Sequence, residues 1–510
     1  MSHKTSFDWN VGVSGYAIYL PPFRVPLVDW CSWTHSSWEK VEQNIGHSFR
    51  VAGPKDSVYT MAANAALRLI LNYKIDPQEI GFIGLGTESS TDNSAGGIIV
   101  RGMLDEALDT LGKPRISRQC EVPEFKHACL GGVYALKAAL RYVATDGAGR
   151  KAIVISSDLA EYERGSTGEQ TQGAGAVAQL IEENPKLFVV DVKNSAGASA
   201  YRGVDFRKPH RTRLISEVPD DICRLPDYPV FNGKYSTLCY TDQTISALAN
   251  MIQKLGIDVR TLFNEVESAF FHRPFHSLPV NVLASLYVWG LTQTEEHLKE
   301  FKILCKEAGT DYQTAVDEAN SSPDFFRRAL GGKINREAYP ELTRSIKYFK
   351  KTHKFKSVLR RKMRYGVDTM MDFGNLYTGS LPAWIAAGIQ DALDKNIELC
   401  DKSFLTIGYG SGDAAEAMII RMVEGWQQAA SRLNIKDALD GPIDLVQEEY
   451  EALHDGLASP CPDFTPSGQF IVDHIGDRSN GFHDLGIEYY RYIPAAEELI
   501  PTESATKKVS

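Results

Sequence analysis

Two stretches of this chain lack the polar face that a surface helix needs. Residues 127–140, HACLGGVYALKAAL, continue to Val143 as an almost all-round apolar run, with Gly and Ala where another backbone must approach. A helix of that kind has to be buried. Residues 374–389, GNLYTGSLPAWIAAGI, repeat the pattern, with Asn375 ahead of a second small-residue apolar helix. Each stretch leads to an apolar strand, AIVISSD at 152–158 and FLTIGYGSG at 404–412. The correspondence reads as an internal duplication with halves at 1–195 and 196–435, which sets the two central helices back to back in a five-layer α-β-α-β-α sandwich.

The flanking segments keep a β-α-β rhythm. VGVSGYAIYL at 11–20 reads as a buried strand stopped by Pro21-Pro22, and Asp56-Ser57 caps a helix through Met61, Ala65 and Leu69. IGFIGLG is a strand that delivers Thr87, Glu88 and Ser89 at its end. Cys129 stands where an extended segment turns into the first central helix. A thiol there feels the positive end of the macrodipole and unpaired amides, which favours thiolate. Cys129 therefore reads either as a nucleophile or as a small buried hydrophobe. Glu88 reads as a base or as a capping or solvated side chain, and Asp92 as the cap of the helix containing Ile98, Val100 and Leu104. His272 ends the short apolar strand of ESAFFHRPF before Pro274, as a structural histidine or as one sharing a pocket with Cys129.

Other features narrow the class. A net charge of -10 argues against a broad nucleic-acid surface. The eight cysteines have no metal-ligand spacing, and MSHKTSFDWNVGV has no signal-peptide core, which points to a reducing, cytoplasmic setting. No apolar run reaches the length of a membrane span. GAGAVA at 173–178 lacks the third glycine of a dinucleotide fingerprint, and GYGSG at 408–412 is neither a phosphate loop nor a serine elbow. Residues 186–240 read as extended, with a hairpin signal at Asn232-Gly233 and a helix around Ile245 to Leu255. Residues 294–346 read as a helical surface elaboration. The run 347–364 carries nine Lys or Arg, either a solvated face or a patch for an anionic ligand. The last 75 residues hold a helix near 445–455, two extended segments and a polar tail.

Taken together, GTESSTDNS, HACLGG, SSDLAEY, QTQGAGAVA, DFRKP, FHRPF, GNLYTGS and GYGSG occur in the order and spacing of the 3-hydroxy-3-methylglutaryl-CoA synthases of the thiolase superfamily. The resemblance runs from IYLPPFRV to RYIP near residue 494. It implies a thiolase-like fold and condensation of acetyl-CoA with acetoacetyl-CoA through an acetyl-cysteine. It also implies no metal, no cofactor beyond the CoA thioesters, and a homodimer. Cys129 is implied as nucleophile, Glu88 as the group that removes a methyl proton, and His272 as the partner of acetoacetyl-CoA. Asp92, Asp158 and Asp205 fall on acidic positions of the pattern, and Asn375 and Tyr377 on its GN-x-YT motif. Thr171 precedes the glycines that let backbone approach the site, and the amides of Cys129 and Ser411 are the expected oxyanion donors.

Glu88 separates this pattern from ketoacyl synthases, which typically decarboxylate malonyl groups, and GYGSG replaces the cysteine loop of degradative thiolases. Three departures concern the carrier: Leu130 stands where the family often has Tyr, Arg207 alters DFYKP, and Ser277 replaces a lysine. Arg207, Arg273 and the basic residues Lys350, Lys351 and Arg360 are the candidates to replace its charge. The alternative is a relative that acts on acetoacetyl groups tethered to acyl carrier protein. A reading of another class is a catalytically silent thiolase-fold subunit.

Overall fold

The computed structural model describes residues 9–90, 93–208, 228–230, 232–457, 462–479 and 481–496. The first half contains β1 (Val11–Tyr19), β2 (Phe23–Pro26), α1 (Leu27–Thr34), α2 (Trp38–Asn44), β3 (Ser48–Val51), α3 (Val58–Asn72), β4 (Ile80–Gly86), α4 (Gly96–Thr110), β5 (Glu124–Phe125), α5 (Gly131–Ala144), β6 (Lys151–Ala160), β7 (Gly173–Glu183) and β8 (Phe188–Val190). The second half follows with β9 (Ala196–Ser199), α6 (Gly233–Leu255), α7 (Val259–Glu265), β10 (Ser268–Phe271), α8 (Ser277–Gly290), α9 (Glu295–Ala308), α10 (Tyr312–Ala319), α11 (Phe325–Arg328), α12 (Pro340–Phe349), α13 (Ser380–Asp394), β11 (Ser403–Gly410) and β12 (Ala414–Met422). After α14 (Trp426–Ala430) and α15 (Ile435–Leu439) come β13 (Ile443–Asp444), α16 (Gln447–Asp455) and the hairpin β14 (Gln469–Ile475) and β15 (Glu488–Ile493).

The main strands form one hydrogen-bonded series, β10-β11-β12-β8-β1-β7-β6-β4-β5, with β9 paired to β12. β8 pairs antiparallel with both β1 and β12, so it joins the two halves. β4 is buried along its whole length, and β6 and β7 along most of theirs. Such strands need cover on both faces. Alternate residues supply it: Ile153 and Ile155 pack with α3, and Ala152 and Val154 with α5. α5 has the second strand layer on its other side, where Val133 and Leu130 lie against Gly408 and Gly410 of β11. α13 rests on β10 and β11, and α6 covers β11 and β12 with α8 beside it. The result is a five-layer thiolase-like sandwich. A buried ion pair between Lys137 of α5 and Glu416 of β12 links its layers.

Several local expectations change. Asn232-Gly233 does not make a hairpin; it opens α6, twelve residues earlier than Ile245. The reason is the three-to-four spacing of its buried side chains Tyr235, Cys239, Gln243, Ala247 and Met251, which outweighs the turn signal. Ser57 alone caps α3, while Asp56 accepts from Tyr19 and the Gly53 amide. α4 has no side-chain cap at Ala95, and Asp92 lies outside the described residues. The elaboration α9–α12 has an apolar interior of its own, including Phe301 and Cys305, against α8. The C-terminal segments also pack back: Asn64 of α3 pairs twice with the Phe470 backbone, and α16 reaches the loop after β6. Among the described residues no helix is long and apolar enough to cross a membrane.

The join between β4 and α5 sets the site geometry. A Cβ on Gly86 would lie 2.4 Å from the Gly132 nitrogen and 2.5 Å from its Cα. Gly86→Ala therefore has to push α5 away from β4, moving Cys129 relative to Glu88. The expected cost is about 1–3 kcal/mol, read as a lower Tm, together with slower acylation. Wild-type stability in this variant would show that the close approach is dispensable.

Candidate active site

Cys129 sits two residues before α5, behind a sharp turn. Ala128 adopts a left-handed backbone, φ 42°, which costs an alanine roughly 1–2 kcal/mol. Two further non-glycine residues around the thiol are left-handed, Phe206 at φ 50° and Tyr377 at φ 43°. Such strain persists only where the surroundings impose it. Here the surroundings are aromatic: Tyr162, Phe206 and Tyr377 pack mutually edge-on, with ring centroids 5.7–6.3 Å apart, and enclose Cys129.

Cys129 Sγ donates to Glu88 Oε2 at 3.2 Å. The thiolate expected from the helix dipole is not what the site favours. Burial, followed by the charge of Glu88, raises the Cys129 thiol well above its ordinary range. The amides of Leu130 and Gly131 are also spent on turn bonds to His127 and Ala128. Among the described residues, it is the residue's own amide that is directed at the sulfur.

Asp158 acts one step back. Its Oδ1 accepts from the Thr87 hydroxyl, the Glu88 and Ser89 amides and the Ser89 hydroxyl, and its Oδ2 accepts from the Thr378 amide and hydroxyl. It was expected among the substrate and oxyanion residues; being fully buried and saturated with protein donors, it holds the Glu88 turn onto Thr378, just ahead of α13 in the second half. Asn375 Oδ1 accepts from the Tyr377 amide and the Ser380 hydroxyl, and its Nδ2 reaches the Tyr162 hydroxyl at 3.4 Å. A Cβ on Gly173 would lie 2.4 Å from the Asn375 carbonyl oxygen, so this glycine admits the opposite half's backbone. Thr171 is buried, bonds Gly168, and sits within reach of Tyr162.

His272 follows β10, and its amide donates to Ile407 of β11. Burial lowers its imidazole to about 3, so the ring is neutral. Tyr240 donates to its carbonyl at 2.7 Å and lies within electrostatic reach of the Cys129 sulfur, which connects His272 to the thiol. Asp205 is buried and accepts from Tyr409. Ser411 is half-buried just beyond β11, where the neighbouring Gly410 lies against His127 and Leu130.

The proposed charge contacts divide. Arg207 is exposed beside Phe206, and Lys351 and Arg360 are exposed. Arg273 is instead 3% exposed, bonded to Val367 and His276 and set over the Trp384 ring. It lines a small cavity with Thr171 and Met371 rather than a surface. Lys350 is half-buried and held by Asn281. A larger groove of about 810 Å³, lined by Lys137, Arg141, Lys193 and Lys254, lies at the far end of α5 from Cys129. Tyr162, Tyr240 and Tyr409 were not singled out from sequence; only the placement of Tyr162 and Tyr409 at the ends of apolar strands could have flagged two of them.

With its duplicated five-layer architecture and a thiol seated at the foot of a central helix, this chain falls among the thiolase-fold enzymes. Residues 7–186 match the family model for the N-terminal part of hydroxymethylglutaryl-coenzyme A synthase, and residues 219–455 the model for the C-terminal part. The chain belongs to the hydroxymethylglutaryl-CoA synthase family. It is 28% identical over 422 residues to hydroxymethylglutaryl-CoA synthase of Haloferax volcanii, covering 82% of this chain and 84% of that protein. The corresponding enzyme of Saccharomyces cerevisiae is 25% identical over 452 residues, 87% of this chain and 81% of that protein. Among solved structures, MvaS in complex with 3-hydroxy-3-methylglutaryl coenzyme A superposes with a TM-score of 0.73 at 23% identity, over 95% of this chain and 99% of that one. The HMG synthase of the curacin biosynthetic pathway, in complex with holo donor-ACP, gives 0.67 at 18% identity, over 95% and 100%.

The neutral state of His272 has a measurable consequence. An unfolded histidine titrates near 6.5, whereas His272 titrates at about 3. Between these values only the unfolded chain binds the proton, so this residue makes stability fall as pH drops from about 6.5 toward 3. His272→Asn should flatten that part of the stability-pH curve in urea titrations. An unchanged slope would place a charged histidine in the fold.

Proposed function

We propose that this chain condenses acetyl-CoA with acetoacetyl-CoA to 3-hydroxy-3-methylglutaryl-CoA, and that the observation carrying this reading is the 3.2 Å contact between Cys129 Sγ and Glu88 Oε2. The thiol attacks the acetyl carbonyl as its proton passes to Glu88, and the protonated carboxyl returns that proton to the departing CoA sulfur. The acetyl group is then on Cys129 and Glu88 is again a carboxylate. Glu88 next removes a methyl proton, and the enolate oxygen is stabilised by the Cys129 and Ser411 amides. The enolate carbon attacks the C3 ketone of acetoacetyl-CoA. A neutral His272 is suited to hydrogen-bond that oxygen, and the proton that Glu88 took from the methyl group passes on to it, so that the tertiary alcohol forms and Glu88 is again a carboxylate. Water hydrolyses the Cys129 thioester, which becomes the free carboxyl group of the product and restores the thiol, while the CoA thioester is kept. Asn375, Tyr377, Tyr162 and Thr171 shape the pocket, and Asp158 and Asp205 hold its walls. The enzyme works in the cytoplasm as a homodimer and needs no metal or further cofactor.

CoA is the preferred carrier. The alternative, acyl carrier protein, is favoured by the replacement of the expected lysine by Ser277 and by the likeness to the curacin HMG synthase, which was solved with a donor carrier protein. Turnover of CoA-linked and carrier-linked acetoacetate, compared directly, separates the two.

Cys129→Ser should abolish acetyl transfer, whereas Glu88→Ala, lacking the group that takes the thiol proton, should accept acetyl slowly and then stall, losing about 10²- to 10⁴-fold in condensation. Peptide mass spectrometry of enzyme incubated with acetyl-CoA reads both outcomes. Acetyl on another cysteine, or normal condensation by the Glu88 variant, would reject the assignments, and a wild type that takes up no acetyl at all would leave the silent subunit as the better reading.

The exposed cations Lys351, Arg360 and Arg361 lie within the basic run before Asn375. Neutralising them together should raise KM for the acyl donors with little change in kcat, because a remote charge binds ground and transition states alike. The effect should shrink with salt. An unchanged KM at low ionic strength would make the run a solvated face.

A further inference from the structure

Tyr409 has one hydroxyl hydrogen and two buried carboxyl groups beside it. Its oxygen lies 3.0 Å from Asp205 Oδ2 and 2.9 Å from Asp413 Oδ1. Asp205 is 1% exposed and Asp413 2%. A phenol can donate to only one of them. The other then sets oxygen against oxygen unless it carries a hydrogen itself. The two carboxyl groups are also within hydrogen-bond reach of each other, an approach that two carboxylates avoid and an acid-carboxylate pair favours. We propose that Asp413 and Asp205 share a single proton at neutral pH, and that Asp413 is thereby a positioning residue that fixes Tyr409 behind His272.

Among the described residues the help available to a second negative charge is slight: the Gly412 amide donates to Asp413 Oδ1. Asp205 Oδ1 and Asp413 Oδ2 have no hydrogen-bond partner. The nearby cation, Arg202, has Nε 3.7 Å from Asp413 Oδ2 but is engaged by Asp242 through its other nitrogen. The Asp242 carboxylate offsets it and also accepts from Tyr339. Among the described residues the remaining neighbours are neutral: Cys239 and Tyr235 from α6, both raised by burial, and His272 just after β10. Burial and then Asp205 hold Asp413 up at about 8, which agrees with one proton retained by the pair.

The shared proton bears on the reaction through rings. Tyr409 stacks edge-on against Tyr240 at 4.6 Å and lies 6.4 Å from the His272 ring, and Tyr240 bonds the His272 carbonyl. Deprotonation sets two carboxylates against one hydroxyl, and the hydroxyl that moves belongs to the ring behind His272. This consequence rests on the reading of His272 as the group serving acetoacetyl-CoA. The acetyl-transfer half-reaction needs Cys129 and Glu88 only.

The test is a pair of pH profiles on wild type and Asp413→Asn, whose amide cannot ionise. Wild-type condensation should fall by about tenfold per pH unit above roughly 8, as loss of one essential proton requires. Acetylation of Cys129 should show no such limb. Asp413→Asn should remain active at pH 7 and lose the limb; the same limb in both proteins overturns the proposal. A limb shared by condensation and acetylation would instead locate the fault in the assigned role of His272. Infrared spectra give a readout independent of activity. Wild type should show a protonated-carboxyl C=O stretch that titrates near pH 8 and is absent from Asp413→Asn or, should that variant not fold, from Asp205→Asn. Absence of that band in wild type overturns the proposal. So does a stoichiometric divalent ion held by Asp205, Cys239 and Asp413, whose ligand atoms lie within 4.8 Å of one another, because a cation would replace the proton.

Discussion

A thiol and a carboxylate 3.2 Å apart in a largely buried site cannot both be ionised. At an effective dielectric of about 20, two unit charges at that separation repel by about 5 kcal/mol. The pair therefore carries one proton, and the chemistry follows from where it sits. On sulfur, it leaves Glu88 as a base. In the reaction proposed above, passing it to Glu88 frees the sulfur to attack and makes it available for the CoA leaving group. The same carboxylate is afterwards in place to take a proton from the acetyl methyl group. One short contact thus serves two successive proton transfers, and the rest of the architecture keeps it short.

That contact is made within the first half and braced by the second. Glu88 comes from the end of β4 and Cys129 from the foot of α5, and Gly86 and Gly132 let these two elements meet backbone to backbone. Asp158 then ties the Glu88 turn to Thr378, which belongs to the second half. The three left-handed residues Ala128, Phe206 and Tyr377 store strain at the pocket wall, and the packed aromatic cluster holds them there. Even the C-terminal segment contributes, because His454 bonds the Tyr162 carbonyl and Tyr450 bonds Glu169 in the loop that carries Thr171.

The layered fold was legible because its two central helices are apolar all round and each is followed by an apolar strand, a pattern with few other solutions. Cys129, Glu88 and His272 were legible as candidates because each falls at the end of an apolar run. The protonation state of Cys129 was not. Proximity to a helix N-terminus is visible in sequence, but the burial of the thiol and a carboxylate brought in from 41 residues away are not, and together they raise the thiol. The role of Asp158 was likewise hidden, since its six donors come from two distant loops. Arg273 was expected to supply charge for the carrier; its burial over Trp384 depends on packing by α13. The hairpin expected at Asn232-Gly233 failed because local turn chemistry yields to a long amphipathic helix.

The central claim is that the resting enzyme keeps the proton on Cys129 under the influence of Glu88. Its most direct test is the pH dependence of Cys129 alkylation by iodoacetamide, measured on wild type and on Glu88→Gln without substrate. The account requires the wild-type rate to keep rising beyond the ordinary thiol range, and the Gln variant, relieved of the neighbouring charge, to titrate at lower pH. A wild-type plateau already reached near neutrality, unchanged in Glu88→Gln, would mean a thiolate at rest and would contradict it.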